Sequence, residues 1–240
     1  MFGDGFPTSN GAFETNYMGG TPSRDGGGGF DIGIMKFNSS GTKRVYATYL
    51  GGSGNEQPHS LIVDNSGNLI IAGRTTSSNF PTTYAHVGQG GGWDICLSKL
   101  NFDGTKLLGS LVIGGTGDDG LNIRAKYDPP YGTESIRRNY GDDARSEVVL
   151  DSVGNIYLVS CTQSIDFPTT APFQSQSGSL NSSGRKQDAV VMKFSNDLGS
   201  ILFSSYLGGS GDDAAYVIAI SPVTKNTVSY THLTLRRRRG

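Results

Sequence analysis

The 240-residue chain has only two cysteines, one tryptophan and three histidines, and each scarcity removes a class of function. Two cysteines, Cys96 and Cys161, supply neither a disulfide framework nor a Cys-based metal site. The histidines are His59, His86 and His232, and neither H-E-x-x-H nor G-x-S-x-G occurs. No apolar run approaches the length of a membrane span. The opening Met1-Phe-Gly-Asp-Gly-Phe-Pro7 lacks the basic start and apolar core of a secretory signal. Charge of either sign is also scarce. The formal charge is −1, and −5 without Arg236, Arg237, Arg238 and Arg239, so the mildly acidic body gives no nucleic-acid footprint. Sustained helical periodicity is missing throughout.

What the chain has in quantity is glycine, at 36 of 240 residues. There is no Gly-X-Y period, which excludes collagen. Glycine instead recurs at fixed places between short apolar runs. Tyr49-Leu-Gly-Gly-Ser-Gly54 returns as Tyr206-Leu-Gly-Gly-Ser-Gly211 and, altered, as Val112-Ile-Gly-Gly-Thr-Gly117. Each copy follows an Asp by a fixed interval of 19 residues: Asp31 to Leu50, Asp94 to Ile113 and Asp188 to Leu207. Composition alone does not produce a fixed spacing three times over; the chain is a repeat array.

One unit contains four apolar segments of four to eight residues, rich in Ile, Leu, Val and Tyr and bounded by Gly, Asn or Asp. These are strand signals. In the first full unit they begin at Ser60, Asn68, Asp94 and Lys106, and in the second at Glu147, Asn155, Asp188 and Ile201. Phe80-Pro-Thr-Thr83 and Phe167-Pro-Thr-Thr170 stand between the second and third strands. The chain opens with the last two strands of a unit (Asp31–Phe37 and Val45–Leu50) and closes with one first strand, Tyr216–Ile220, which makes eleven.

Four antiparallel strands joined by short turns and repeated radially describe a β-propeller blade. A blade cannot bury both faces without neighbours. The expected class is therefore all-β: a propeller fragment with two complete and two partial four-stranded blades. The divisions are a partial blade at 1–56, a complete blade at 57–119, a loop insertion at 120–143, a complete blade at 144–213 and the start of another at 214–227. Missing blades of a longer chain are the expected partners of the partial ones.

The joint pattern D-x-x-G-N, S-x-x-F-P-T-T, D-x-x-x-x-K and Y-L-G-G-S-G resembles the bacterial SBBP, or seven-bladed beta-propeller, repeat family. Here those elements are Asp64 to Asn68 and Asp151 to Asn155, the two FPTT runs, Asp94 to Lys99 and Asp188 to Lys193, and the copies at 49 and 206. The resemblance covers roughly residues 6 to 221. It implies a large secreted or cell-surface protein and no particular catalytic activity.

Residues 228–240 depart from the frame. Val228-Ser-Tyr-Thr-His-Leu-Thr-Leu235, ahead of the four arginines, resembles the translation of a transposon-type sequencing adaptor. A non-native tail is expected there, and no function is drawn from it.

The variable spacings carry the functional expectation. From the Phe of FPT to the next third-strand Asp is 25, 14 and 21 residues, and the fourth-to-first connection grows from 14 to 38. The other two connections stay short. All the variation therefore falls on one face, and loop-bearing faces of rigid scaffolds are where binding usually resides. The 120–143 insertion carries Tyr127, Tyr131, Arg137, Arg138 and Tyr140, whose rings and guanidinium groups suit protein or carbohydrate ligands. Asp118, Asp119, Asp212 and Asp213 invite a calcium reading as hard oxygen ligands, although the spacing is not that of an EF-hand loop. Turn closure onto backbone N–H groups is the preferred alternative. Lys36, Lys99 and Lys193 lie five residues after the third-strand aspartates, an odd spacing that puts Lys and Asp on opposite sheet faces. Cross-strand or inter-blade salt bridging is the expected role. No catalytic residue is assigned. A non-catalytic binding scaffold is the leading expectation, and a glycan- or peptide-cleaving propeller hydrolase, with its catalytic residues in the loop face or missing blades, is the alternative.

Overall fold

The computed structural model describes residues 5–20, 29–121, 146–178, 187–221, 224 and 227–231. Every regular element among them is a strand. The strands are β1 (Ile32–Phe37), β2 (Arg44–Leu50), β3 (Glu56–Val63), β4 (Leu69–Thr75), β5 (Val87–Gly88), β6 (Asp94–Leu100) and β7 (Leu107–Gly114). After them come β8 (Glu147–Leu150), β9 (Ile156–Thr162), β10 (Asp188–Phe194), β11 (Ile201–Leu207), β12 (Ala215–Ile220) and β13 (Thr227–Thr231).

The two complete blades are antiparallel sheets, β3-β4-β6-β7 and β8-β9-β10-β11, with two-residue β5 added in parallel to β7. β1-β2 forms the second half of a blade ahead of them. Two elements differ from the sequence reading. β5 was not expected, and the closing strand is not alone: β12 pairs with β13, whose residues extend into the expected tail. A lone strand leaves a ladder of unpaired N–H and C=O groups, and the β-prone run of Thr, Val and Tyr that follows satisfies it.

Every residue of β4 and β6 is buried. Both faces of that sheet are covered, so these strands read as continuous apolar runs instead of alternating ones. Alternation survives as a choice of neighbour. Ile70, Ala72, Ile95 and Leu97 pack toward the third blade with Val148, Leu158, Val190 and Met192. Ile71, Cys96 and Leu100 pack toward the half-blade with Ile32, Ile34 and Tyr46. Burying such a side chain is worth about 1.5–3 kcal/mol, and only stacked blades provide that burial on both faces. Blade three repeats the scheme with Val159 and Ala189 against Ala215 and Ile218 of β12.

The conserved-looking turn signals have specific duties. In D-x-x-G-N, Asp64 Oδ1 accepts from the N–H groups of Ser66 and Asn68, both at 2.9 Å, while Oδ2 accepts from Asn68 Nδ2 at 3.0 Å. Asp151 does the same with Val153 and Asn155. These turns and the β1–β2, β6–β7 and β10–β11 hairpins lie at one end of the blades. The long connections lie at the other.

Candidate functional site

At the loop end, each blade junction is built around two carboxyl groups. One opens the third strand or stands just before it (Asp31, Asp94, Asp188), and the other ends the glycine turn (Glu56, Asp119, Asp213). All six are buried. They meet at the first glycine of the Gly-Gly pair. A Cβ on Gly51 would stand 2.6 Å from Glu56 Oε2 and 2.7 Å from Asp31 Cγ. On Gly114 it would collide with Asp94 Oδ1 and lie 2.8 Å from Asp119 Oδ2; on Gly208 it would collide with Asp188 Oδ1.

The turn acid is held by donors from the same turn and the following blade. Asp119 Oδ2 accepts from the N–H of Gly115 at 2.8 Å and from Ser164 Oγ at 2.9 Å, and Thr162 Oγ1 donates to Oδ1. Glu56 likewise accepts from Gly52 N at 3.1 Å, Thr75 Oγ1 at 2.6 Å and Ser77 Oγ. Burial pushes the Asp119 carboxyl up to about 7, with Asp94 adding to the rise against those hydrogen bonds. Burial likewise lifts Asp31 to about 6, helped by Glu56, and raises Asp94 and Asp213. Close like charges cannot both ionise cheaply, so these groups favour holding a proton.

These contacts account for the geometry of two calcium candidates. Asp119 and Asp213 close turns onto backbone N–H groups, Asp213 through Gly209 at 2.7 Å. Asp118 Oδ1 accepts from Trp93 N at 3.0 Å, and Asp212 is exposed. Among the described residues no group of three or more His, Cys, Asp or Glu side chains is arranged to hold a metal.

Tyr127, Tyr131, Arg137, Arg138 and Tyr140 lie outside the described residues. Gly120 and Leu121 at its start and Ser146 beyond it are described, and they frame a polar cluster the sequence reading did not single out. Gly120 N donates to Cys161 O at 2.8 Å, and Leu121 O accepts from Gln163 Nε2 at 3.0 Å. At the far end Ser146 Oγ lies 2.8 Å from Ser160 Oγ and 3.0 Å from His59 Nδ1. Arg74, 5 % exposed, lies over the Trp93 ring with its guanidinium carbon 4.3 Å from the centroid. Its NH2 donates to Gln57 Oε1. Trp93 also stacks on Phe30, with centroids 6.5 Å apart. Burial, with the Arg74 charge beside it, pushes His59 down to about 3, so the imidazole is neutral. Its Nε2 is buried with no hydrogen-bond partner among the described residues. The lone tryptophan was the one sequence signal that could have found this cluster. Nothing in the repeat spacing brings Arg74 to it.

At the opposite end Lys99 and Lys193 form ion pairs as expected, whereas Lys36 donates to the carbonyl of Phe102 at 2.7 Å and has no ion pair among the described residues. Lys99 Nζ lies 3.0 Å from Asp64 Oδ2, and Lys193 Nζ lies 3.6 Å from Asp151 Oδ2. Burial opposes ionisation of Asp64, yet the hydrogen bonds from Asn68 and Lys99 hold it down to about 2. Both cysteines are buried and neither is in a disulfide, and burial pushes the Cys161 thiol up to about 12.

No curated protein matches the chain. Residues 45–81 match the SBBP family model, described as a beta-propeller repeat. The matched stretch runs from β2 through the Gly-Gly turn, β3 and β4 to Phe80-Pro81. It spans one junction, with its glycines, turn acid and Thr-x-Ser clasp. This chain therefore carries an SBBP beta-propeller repeat within an all-β array of four-stranded blades.

Proposed function

We propose that the chain is a non-catalytic scaffold, secreted or displayed at a cell surface, whose loop end binds protein or carbohydrate. The observation that carries this reading is the position of the length variation. The turns at one end are consumed by internal hydrogen bonds, whereas the variable connections belong to the other end, where Leu121 and Ser146 lie close to Arg74, Trp93 and His59. A cation-stacked aromatic beside a neutral imidazole suits sugar hydroxyls or peptide groups, since rings offer a flat apolar face and the polar edges orient the ligand. Tyr131 and Arg137 of the insertion would add further stacking and forked hydrogen bonding.

Glycan and peptide arrays probed with the whole chain test the reading. Trp93 emission is a second readout, because Trp93 is the sole tryptophan and sits at the foot of the insertion. The expected result is binding that Tyr131→Ala and Arg137→Ala weaken by about tenfold each, the size of one good interfacial contact. Turnover of a bound glycan or peptide, abolished by replacing a single carboxylate, overturns the non-catalytic reading.

A further inference from the structure

The three carboxyl pairs at the loop end share a backbone tie. At each junction the N–H of the turn acid donates to the carbonyl of the residue just before the other acid. These bonds run from Glu56 N to Phe30 O at 2.8 Å, from Asp119 N to Trp93 O at 2.6 Å and from Asp213 N to Gln187 O at 2.9 Å. In the middle junction the tied residue is the sole tryptophan, and the tie is doubled. Trp93 N donates to Asp118 Oδ1 at 3.0 Å, and a Cβ on Gly92 would collide with the same oxygen.

Both sides of the Asp94–Asp119 pair abut the polar cluster at the loop end. Asp94 reaches it through Trp93, its neighbour in the chain, whose ring lies 4.3 Å from the Arg74 guanidinium and stacks on Phe30. Asp119 reaches it through Gly120. A Cβ on Gly120 would stand 3.4 Å from Arg74 Cβ and 3.7 Å from His59 Cε1.

The two acids are not held alike. Asp119 has donors in Gly115 N, Thr162 Oγ1 and Ser164 Oγ. Asp94 is steadied by the Gly91 backbone and by His86 Nε2, 3.8 Å from its Oδ2. Asp94 Oδ1 is buried beside Gly114, facing Asp119, and has no hydrogen-bond partner among the described residues. When both acids carry charge, no donor meets Asp94 Oδ1, and the two carboxylates repel across Gly114. The more weakly anchored partner yields, and Asp94 takes Trp93 with it.

We propose that the Asp94–Asp119 pair is a proton-operated switch for the loop-end cluster. While the pair holds a proton, Trp93 is seated against Arg74. Full ionisation drives the Trp93–Asp94 segment out of that seat. Burial raises both carboxyls, Asp119 to about 7, so the change falls in the neutral range. The other charged and titratable groups that face the pair among the described residues come from every neighbouring element. They are His86 before β5, Asp118 in the glycine turn, Arg74 on β4, Cys161 on β9, Asp166 before Phe167 and Tyr206 on β11. Burial pushes the Cys161 thiol up to about 12 and raises the Tyr206 hydroxyl too, so both stay neutral in that range. Histidine as a class changes charge in the same window, which makes His86 the group to separate. Any effect on a bound ligand rests on the binding reading above; the switch itself does not, and it is read without ligand.

Trp93 emission of the whole chain, followed from about pH 5.5 to about pH 9, tests the proposal. Wild type is compared with Asp94→Asn, with His86→Gln and with Asp188→Asn, which makes the same change at the third junction. Wild type is expected to show one transition centred near pH 7, with acrylamide quenching greater on its alkaline side. Asp94→Asn removes the second charge and is expected to abolish the transition, whereas His86→Gln and Asp188→Asn keep it. Urea unfolding on either side of the transition shows that the chain is folded at both plateaus. Emission of folded wild type that is flat across the range overturns the proposal. So does a transition that survives Asp94→Asn, or one that disappears in His86→Gln or Asp188→Asn.

Discussion

Asp94 and Asp119 stand 25 residues apart in the chain, yet their carboxyl groups face each other across the backbone of Gly114. Asp31 with Glu56 and Asp188 with Asp213 repeat the arrangement across Gly51 and Gly208. The Gly-Gly motif is therefore a property of the carboxyl pair. The first glycine is small because two acids occupy the space a side chain would need.

The pair makes stability depend on pH. Below the ordinary carboxylate range Asp119 is protonated whether folded or unfolded. As pH rises from about 4 to about 7 the unfolded chain ionises while folded Asp119 keeps its proton, so this group's contribution falls over that window and is level above it. A three-unit rise corresponds to an upper limit of about 4 kcal/mol. His59, held down to about 3 by burial and Arg74, acts in the opposite sense, losing stability as pH falls below its ordinary value. Comparing wild type with Asp94→Asn isolates the acid pair. The variant should gain about 1–2 kcal/mol relative to wild type between pH 4.5 and pH 8, measured by urea unfolding at each pH. A pH-independent difference would sink the proton-sharing account.

Gly114→Ala should destabilise the chain by about 1–3 kcal/mol, the usual cost of overpacking, because its Cβ collides with Asp94 Oδ1. Adding Asp94→Ala should return part of that loss by vacating the space. Thermal unfolding of the single and double variants measures the coupling. Additive losses would mean that the glycine serves some purpose other than room for Asp94.

The two complete blades should respond unequally to losing their lysine. Lys99→Met strands Asp64 in a nearly buried position and removes the donor to Asn196 O, at a cost of about 3 kcal/mol. Lys193→Met breaks a longer, more exposed pair and should cost less than about 1 kcal/mol. Equal losses in denaturant unfolding at dilution would contradict the burial difference.

Tyr206 OH donates to Ser164 O and accepts from Phe167 N, both at 2.8 Å, in a fully buried setting. Tyr206→Phe leaves both backbone groups without that partner and should cost about 1–3 kcal/mol. The altered repeat copy explains itself by the same contact. Val112 has no hydroxyl, and Phe80 N instead donates to Ser77 O at 3.4 Å. Replacing Val112 by Tyr should therefore gain little, because the donor is already satisfied and the site is filled.

Cys96 and Cys161 should resist alkylation in the folded protein and react together on unfolding. Burial raises both thiols, and the thiolate is the reactive form. Mass spectrometry across a denaturant series follows it. Reaction of either cysteine well below the unfolding midpoint would show a local opening of its strand.

The order of strands, the end at which length varies and the kind of pairing made by Lys99 and Lys193 were legible in the residues alone, but Asp64 and Asp151 as their partners were not. Short apolar runs and fixed spacing are local, and a repeat states them more than once, so periodicity suffices to read them. The D-x-x-G-N turns were likewise readable, since their hydrogen bonds close within four residues. What the tertiary structure alone decided is long-range. It brought Asp94 against Asp119, set Arg74 over Trp93 beside His59, and paired β12 with β13. Each of these depends on which neighbour a strand face meets. Sequence spacing carries the face of a residue, whereas stacking of one sheet on the next determines what that face touches, and the free energy of the junction resides in that contact.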